Sequence, residues 1–137
     1  MQSYHQALAY LERFANYEKT RAVSYATGPF REGVARMQAL LAQLGDPHHS
    51  LKIVHVAGTK GKGSVCAMLD AVLRAAGYRT GLYTSPHLHT FRERIQVGGR
   101  LISCSEVAWL VDEIAPHAET IAGLTWFEIV TAMGLLY

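Results

Sequence analysis

A short apolar run, Leu51 to Ala57, passes directly into Gly58-Thr59-Lys60-Gly61-Lys62-Gly63-Ser64, and the residues beyond it take up helical spacing. Val65, Met68, Leu69, Val72, Leu73 and Ala76 fall at i, i+3, i+4, i+7, i+8 and i+11. The run before the glycines is rich in β-branched residues and reads as a strand buried on both faces, as in parallel sheets. Gly77 ends the helix and Thr80 to Thr84 reads as a second short strand, so residues 51–84 are expected to form a βαβ unit, right-handed by default. The fold class that follows is α/β. Two strands do not complete an open parallel sheet with helices on both faces. The chain therefore reads as the truncated start of a mostly parallel α/β domain whose remaining strands lie beyond residue 137.

The flanking residues fit around that unit. Tyr4, Ala7, Leu8, Leu11 and Ala15 share a helical face, and Val34, Met37, Leu40, Leu41 and Leu44 share another that stops at Leu44-Gly45-Asp46-Pro47. Residues 1–50 thus read as a helical lead-in, with the α/β part over 51–137. After Ser85-Pro86-His87, Arg94 to Val97 and Arg100 to Ile102 around Gly98-Gly99 read as a hairpin. Two capping boxes, Ser103 to Glu106 and Thr125 to Glu128, introduce two further helices.

Leu, Ile, Val and Phe make up about a quarter of the 137 residues, enough apolar surface to exclude intrinsic disorder. The formal net charge of +2 gives no nucleic-acid footprint. Two cysteines without a C-x-x-C pair indicate neither a disulfide framework nor a zinc ribbon, and fit a reducing cytoplasm. No window approaches the ~18 apolar residues that cross a bilayer. Neither nucleic acid nor membrane is expected as a partner.

A glycine loop between a buried strand and a helix presents unpaired backbone N–H groups at the positive end of the helix dipole, which suits a phosphate. Lys62 can neutralise β and γ oxygens, and the Ser64 or Thr59 hydroxyl can reach phosphate or Mg²⁺. The string G-x-x-x-x-G-K-[ST] is not matched, since Val56 and Gly63 occupy its first Gly and its Ser/Thr, and G-x-G-x-x-G fails at Cys66. A flexible turn between strand and helix without a ligand is the plain alternative.

Val54-His55-Val56-Ala57-Gly58-Thr59-Lys60-Gly61-Lys62-Gly63-Ser64 resembles the H-V-[AT]-G-T-[NK]-G-K-G-S loop of folylpolyglutamate and dihydrofolate synthases, within the Mur ligase superfamily. Thr84-Ser85-Pro86-His87-Leu88 with Phe91-Arg92-Glu93-Arg94-Ile95 resembles the family's T-S-P-H-L and F-x-E-R-I segments. Leu124-Thr125-Trp126-Phe127-Glu128 with Thr131-Ala132 resembles its L-T-x-F-E-x-x-T-A helix start. Gly33-Val34-Ala35-Arg36 followed by Leu40-Leu41 and Leu44-Gly45-Asp46-Pro47 is similar to G-[LV]-x-R and L-L-x-x-L-G-x-P. The likeness spans nearly the whole chain but only the first third of the family's length.

What the resemblance implies is a P-loop-containing ATPase domain, like the Mur ligase central domain, without the C-terminal domain that closes over ATP. The family joins L-glutamate to a folate or dihydropteroate through an acyl phosphate, with ATP and Mg²⁺, as a cytoplasmic monomer. Carried over residue by residue, Thr59, Lys60, Gly61, Lys62, Gly63 and Ser64 bind ATP, and Lys62 is the catalytic cation. Ser85 and Glu128 become Mg²⁺ ligands, and Gly33 and Val34 line the folate pocket. Simpler readings stand beside these: Glu128 as the partner of Thr125 in a cap, Ser85 as a turn residue, and Lys62 as a solvated lysine. His55 reads as a structural histidine in the buried strand, and His87-Leu88-His89 lacks the further ligands a zinc site requires. Arg92, Glu93 and Arg94 read either as a local ion-pair strand or as a loop facing folate and phosphate. Tyr25, Phe30 and Phe91 could stack on a flat ring or belong to the core. The competing function is a non-catalytic phosphate-binding module.

Overall fold

A computed structural model describes residues 2–17 and 32–137. Tyr25 and Phe30 lie outside the described residues. The chain divides into two compact units, one of residues 1–51 and 104–137, the other of residues 52–103.

The first unit is helical. Helix α1 (Tyr4–Leu11) starts at a capping box in which the Ser3 hydroxyl accepts from the Gln6 amide and the Gln6 side chain accepts from the Ser3 amide. Helix α2 (Gly33–Gln43) stops where Gly45 takes φ +80°, a left-handed residue that glycine occupies without a Cβ clash. A 3₁₀ turn (Pro47–Ser50) follows.

Helix α4 (Cys104–Ala118) lays Val107, Leu110, Val111 and Ile114 against α1 and α5 (Trp126–Leu136). Their spacing is what the sequence predicts. In α5, Trp126, Ile129, Val130 and Met133 are all buried, so this short helix is apolar on most sides and forms the centre of the unit. Each such fully buried side chain contributes about 1.5–3 kcal/mol. The Trp126 amide donates to the Ala15 carbonyl at 3.0 Å, tying the chain after α1 to the start of α5.

The second unit carries α3 (Lys62–Ala75) and one antiparallel sheet in the order β1 (Gly81–Tyr83), β2 (Ile95–Val97), β3 (Arg100–Leu101). Leu82 pairs with Gln96, and Gln96 with Leu101. Gly98 and Gly99, at φ +58° and +76°, make the two-residue turn that the sequence predicts. Asp70, in the second half of α3, accepts from the Arg74 guanidinium at 2.8 Å and from the Thr80 hydroxyl. Those bonds, the Thr80 hydroxyl first, hold the Asp70 carboxyl below the usual carboxylate range. Arg74 also covers the glycine turn, since a Cβ on Gly99 would lie 2.8 Å from its guanidinium.

The α/β class holds, but the expected βαβ unit is not formed. Residues 51–57 take no strand, and Ile53 and Val54 are 58% and 66% exposed. Strand β1 pairs antiparallel with β2 instead of parallel with the 51–57 run. A central strand of a parallel sheet is stabilised by ladders on both edges and helices on both faces, and none of these is supplied to residues 52–57 within their unit. His55 is accordingly exposed rather than a buried structural histidine.

Candidate functional site

Gly61 is the N-cap of α3 and takes φ +78°, a left-handed conformation that a side chain would strain. The first helical bond runs from the Val65 amide to the Gly61 carbonyl, 3.0 Å. Helix geometry therefore leaves the amides of Lys62, Gly63 and Ser64 pointing out of the helix end without intrahelical acceptors. Among the described residues no side-chain hydrogen bond caps this end. Thr59, Lys60, Gly61, Lys62, Gly63 and Ser64 are all exposed.

Lys62 folds back over the loop, its Nζ donating to the Gly58 carbonyl at 2.7 Å. The ammonium is thereby held on the loop that leads into the helix end. At Gly63 the backbone is helical and a Cβ would meet nothing within 4 Å, so packing does not call for glycine there. The arrangement is a concentrated set of donors with one cation, chemically matched to a phosphate group.

The second group of expected residues belongs to the helical unit. Glu128 and Thr125 form the capping box at the start of α5, the Glu128 carboxylate accepting from the Thr125 amide at 2.8 Å. Its two oxygens also take a bidentate pair from Arg36, Nη2 to Oε1 at 2.9 Å and Nε to Oε2 at 3.2 Å. That hydrogen bond to Glu128 raises the Arg36 guanidinium's already high proton affinity.

Gly33 stands against the same carboxylate, because a Cβ there would lie 3.0 Å from Glu128 Oε1. The structure thus brings Gly33, Arg36 and Glu128 together, while Val34 is 70% exposed. Sequence reasoning assigned Arg36 no role, although Arg three residues after a helix-opening glycine places it one turn along α2 from Gly33.

Ser85 is exposed beyond β1, in the other unit. The loop after it is organised by Glu93. Its carboxylate accepts from the amides of Leu88 at 2.8 Å, His89 at 2.9 Å and Thr90 at 2.7 Å, which hold its pKa down to about 2, the Leu88 amide contributing most. Arg92 Nε donates to the Ile102 carbonyl and the buried Arg94 donates to His87 Nδ1 at 2.8 Å. Residues 92–94 are therefore fastened inward to their own unit. His87 is engaged by Arg94, and Phe91 is buried at 5% exposure with its ring edge-on to that of His87. Phe91 is core.

No protein-family model matches the chain. A dihydrofolate synthase/folylpolyglutamate synthase of Bacillus subtilis is 40% identical over 131 residues, covering 90% of this chain and 30% of the relative. The crystal structure of folylpolyglutamate synthase from Thermotoga maritima superposes with a TM-score of 0.81 at 38% identity, over 98% of this chain and 30% of that one. A folylpolyglutamate synthase–AMPPCP–folate complex superposes with a TM-score of 0.79 at 30% identity, over 99% of this chain and 32% of that one. The chain spans about a third or less of the length of these relatives. Similarity of sequence and of backbone over nearly all its residues assigns this chain to the folylpolyglutamate/dihydrofolate synthase family, as the counterpart of one part of those longer proteins.

Proposed function

We propose that this chain is the nucleotide-binding first part of an ATP-dependent amide ligase that adds L-glutamate to a folate or dihydropteroate. In that reaction the acceptor carboxylate attacks the γ-phosphorus of ATP and expels ADP, and the glutamate amine then displaces phosphate from the acyl phosphate. Both steps bring anions together, so neutralising and aligning them lowers the barrier.

The observation that carries this reading is the open end of α3: three unclaimed amides, the Lys62 ammonium bonded back to the Gly58 carbonyl of the loop before them, and a glycine at 63 that packing does not explain. Lys62 neutralises the β and γ oxygens, the amides of Gly61, Gly63 and Ser64 hold them, and Thr59 and Lys60 flank the phosphates. The triphosphate analogue AMPPCP in a solved relative supports ATP as the nucleotide, and the folate of the same complex supports the acceptor.

Ser85 and Glu128 are the proposed Mg²⁺ ligands, both hard oxygen donors. The Glu128 carboxylate fits, since three of its roughly four acceptor positions are used by Arg36 and Thr125 and one is left. When bound, the ion would neutralise phosphate charge. Gly33 and Val34, at the start of α2, are proposed to border the folate.

In the longer protein, residues 1–50 would be the helical lead-in. Residues 51–137 would begin a P-loop domain in which the 51–57 run becomes a strand of a mostly parallel sheet, a C-terminal ligase domain following. That protein is proposed to be a cytoplasmic monomer. Among the described residues no helix is long and apolar enough to cross a membrane.

The test is direct. A fluorescent ATP analogue should bind the 137-residue chain, with Lys62→Ala weakening it at least tenfold; equal binding by the variant would remove Lys62 from the site. In the full-length protein Lys62→Ala should abolish glutamate-dependent ADP release, whereas the 137-residue chain alone should show none.

A further inference from the structure

The turn between α2 and residue 52 carries a cluster that the proposed ligase chemistry does not use. Gly45 and Asp46 take consecutive left-handed conformations, φ +80° and +52°, and reverse the chain into the 3₁₀ turn Pro47–Ser50. The reversal gathers Asp46, His48 and His49, so that one ligating atom from each lies within 4.8 Å of the others. Among the described residues no other three His, Cys, Asp or Glu side chains converge in this way.

The two imidazole rings sit 4.2 Å apart between centroids, tilted by 47°. The backbone beneath them is fixed: the His49 amide donates to the Asp46 carbonyl at 3.1 Å, the Leu51 amide to the His48 carbonyl at 3.2 Å, and the Ser50 hydroxyl to the Pro47 carbonyl at 2.9 Å. The turn also packs on α5.

An independent observation singles out His48. Its Nδ1 is buried and has no hydrogen-bond partner, which holds for no other buried side-chain polar atom among the described residues. Buried ring nitrogens are otherwise paired, so this one keeps an unused lone pair or proton. An imidazole with a spare nitrogen, next to a second imidazole and a carboxylate, is a ready donor set.

We propose that Asp46, His48 and His49 bind a divalent transition-metal ion, with Zn²⁺ the natural fit and water in a fourth position. Two imidazoles and one carboxylate suit zinc, nickel or copper, whereas Mg²⁺ takes oxygen ligands and holds its waters. Zinc bonds of about 2.0–2.1 Å set neighbouring donors about 3.3 Å apart, so the cluster must contract by up to about 1.5 Å. His49 is exposed and Asp46 half-buried, and rotation of the His49 ring and of the Asp46 carboxylate would supply that movement. The ion would clasp the chain where it leaves the helical unit.

The test is a zinc titration of the 137-residue chain against a chromophoric chelator, repeated for Asp46→Asn, His48→Gln and His49→Gln. The expected result is one tightly bound equivalent, each of the three variants binding at least tenfold more weakly and His5→Gln and His117→Gln binding as the parent does. Cobalt(II) in place of zinc should give the visible absorption of a four-coordinate site, lost in His49→Gln. His49 is exposed, so its variant keeps the fold, as far-ultraviolet circular dichroism would verify. The proposal is overturned if the parent binds zinc no more tightly than a folded His49→Gln chain, or if the control variants lose as much affinity as the cluster variants.

Discussion

Glu128 accepts hydrogen bonds from Thr125 and twice from Arg36, and both members of the ion pair are nearly enclosed, with side chains 9% and 12% exposed. Removing Glu128 leaves the Arg36 charge buried without its closest counter-charge, with Glu32 at 3.8 Å a more distant one. Glu128→Gln should therefore cost about 3 kcal/mol in urea denaturation, more than the double change Arg36→Met with Glu128→Leu. An unchanged midpoint for Glu128→Gln would show that the pair is solvated. Gly33→Ala should cost about 1 kcal/mol by pressing its methyl group onto the same carboxylate.

Acid acts on Glu93 in a definite direction. Its carboxyl lies at about 2 in the fold against an ordinary 4.5, so the stabilisation is complete above pH 4.5 and is lost as pH falls through 2. Asp70 shifts the same way. The amide resonances of Leu88, His89 and Thr90 should hold their positions down to about pH 3 and move together below it; movement centred near 4.5 would contradict the bonding. The Thr125–Glu128 cap was legible because its partners are three residues apart. The Arg36–Glu128 pair was not, since 92 residues separate it and no periodicity links them.

Helices α1, α2, α3 and α5 and the hairpin were all legible, because each is specified by local chemistry: apolar spacing, a glycine stop, a capping box, two glycines in a turn. The 51–57 run was misread because a strand of its kind is defined by neighbours far along a chain, not by its own residues. Within α3, Gly63 can be tested as an element. Alanine is favoured over glycine in a helix by about 1 kcal/mol and finds open space here, so Gly63→Ala should stabilise the unit while weakening binding of the ATP analogue. Stabilisation without loss of binding would detach this glycine from the phosphate. Gly99→Ala should do the opposite, destabilising the hairpin through its φ of +76° and its clash with Arg74.

At the scale of the molecule, apolar side chains remain uncovered on the second unit: Ile53, Val54, Val65, Met68 and Val72 are each 46% exposed or more. The isolated chain should bind an anilinonaphthalene dye, and Ile53→Thr with Val54→Thr should reduce that binding. Hydrogen exchange should find the amides of 52–57 almost unprotected and those of α4 and α5 slowest. Protection of 52–57 equal to that of α5 would mean that the stretch has found a partner. The α/β class was readable from the alternation of elements, but the partition into two units was not, because the first is assembled from both ends of the chain. That partition bears on synthesis. Helix α4 begins about 60 residues after α2 ends and about 90 after α1 ends, so at about 5–20 residues per second those two helices wait roughly 3 to 20 seconds for it. For that interval a nascent-chain chaperone would meet the greasy sides of α1 and α2 bare, until α4 and α5 cover them.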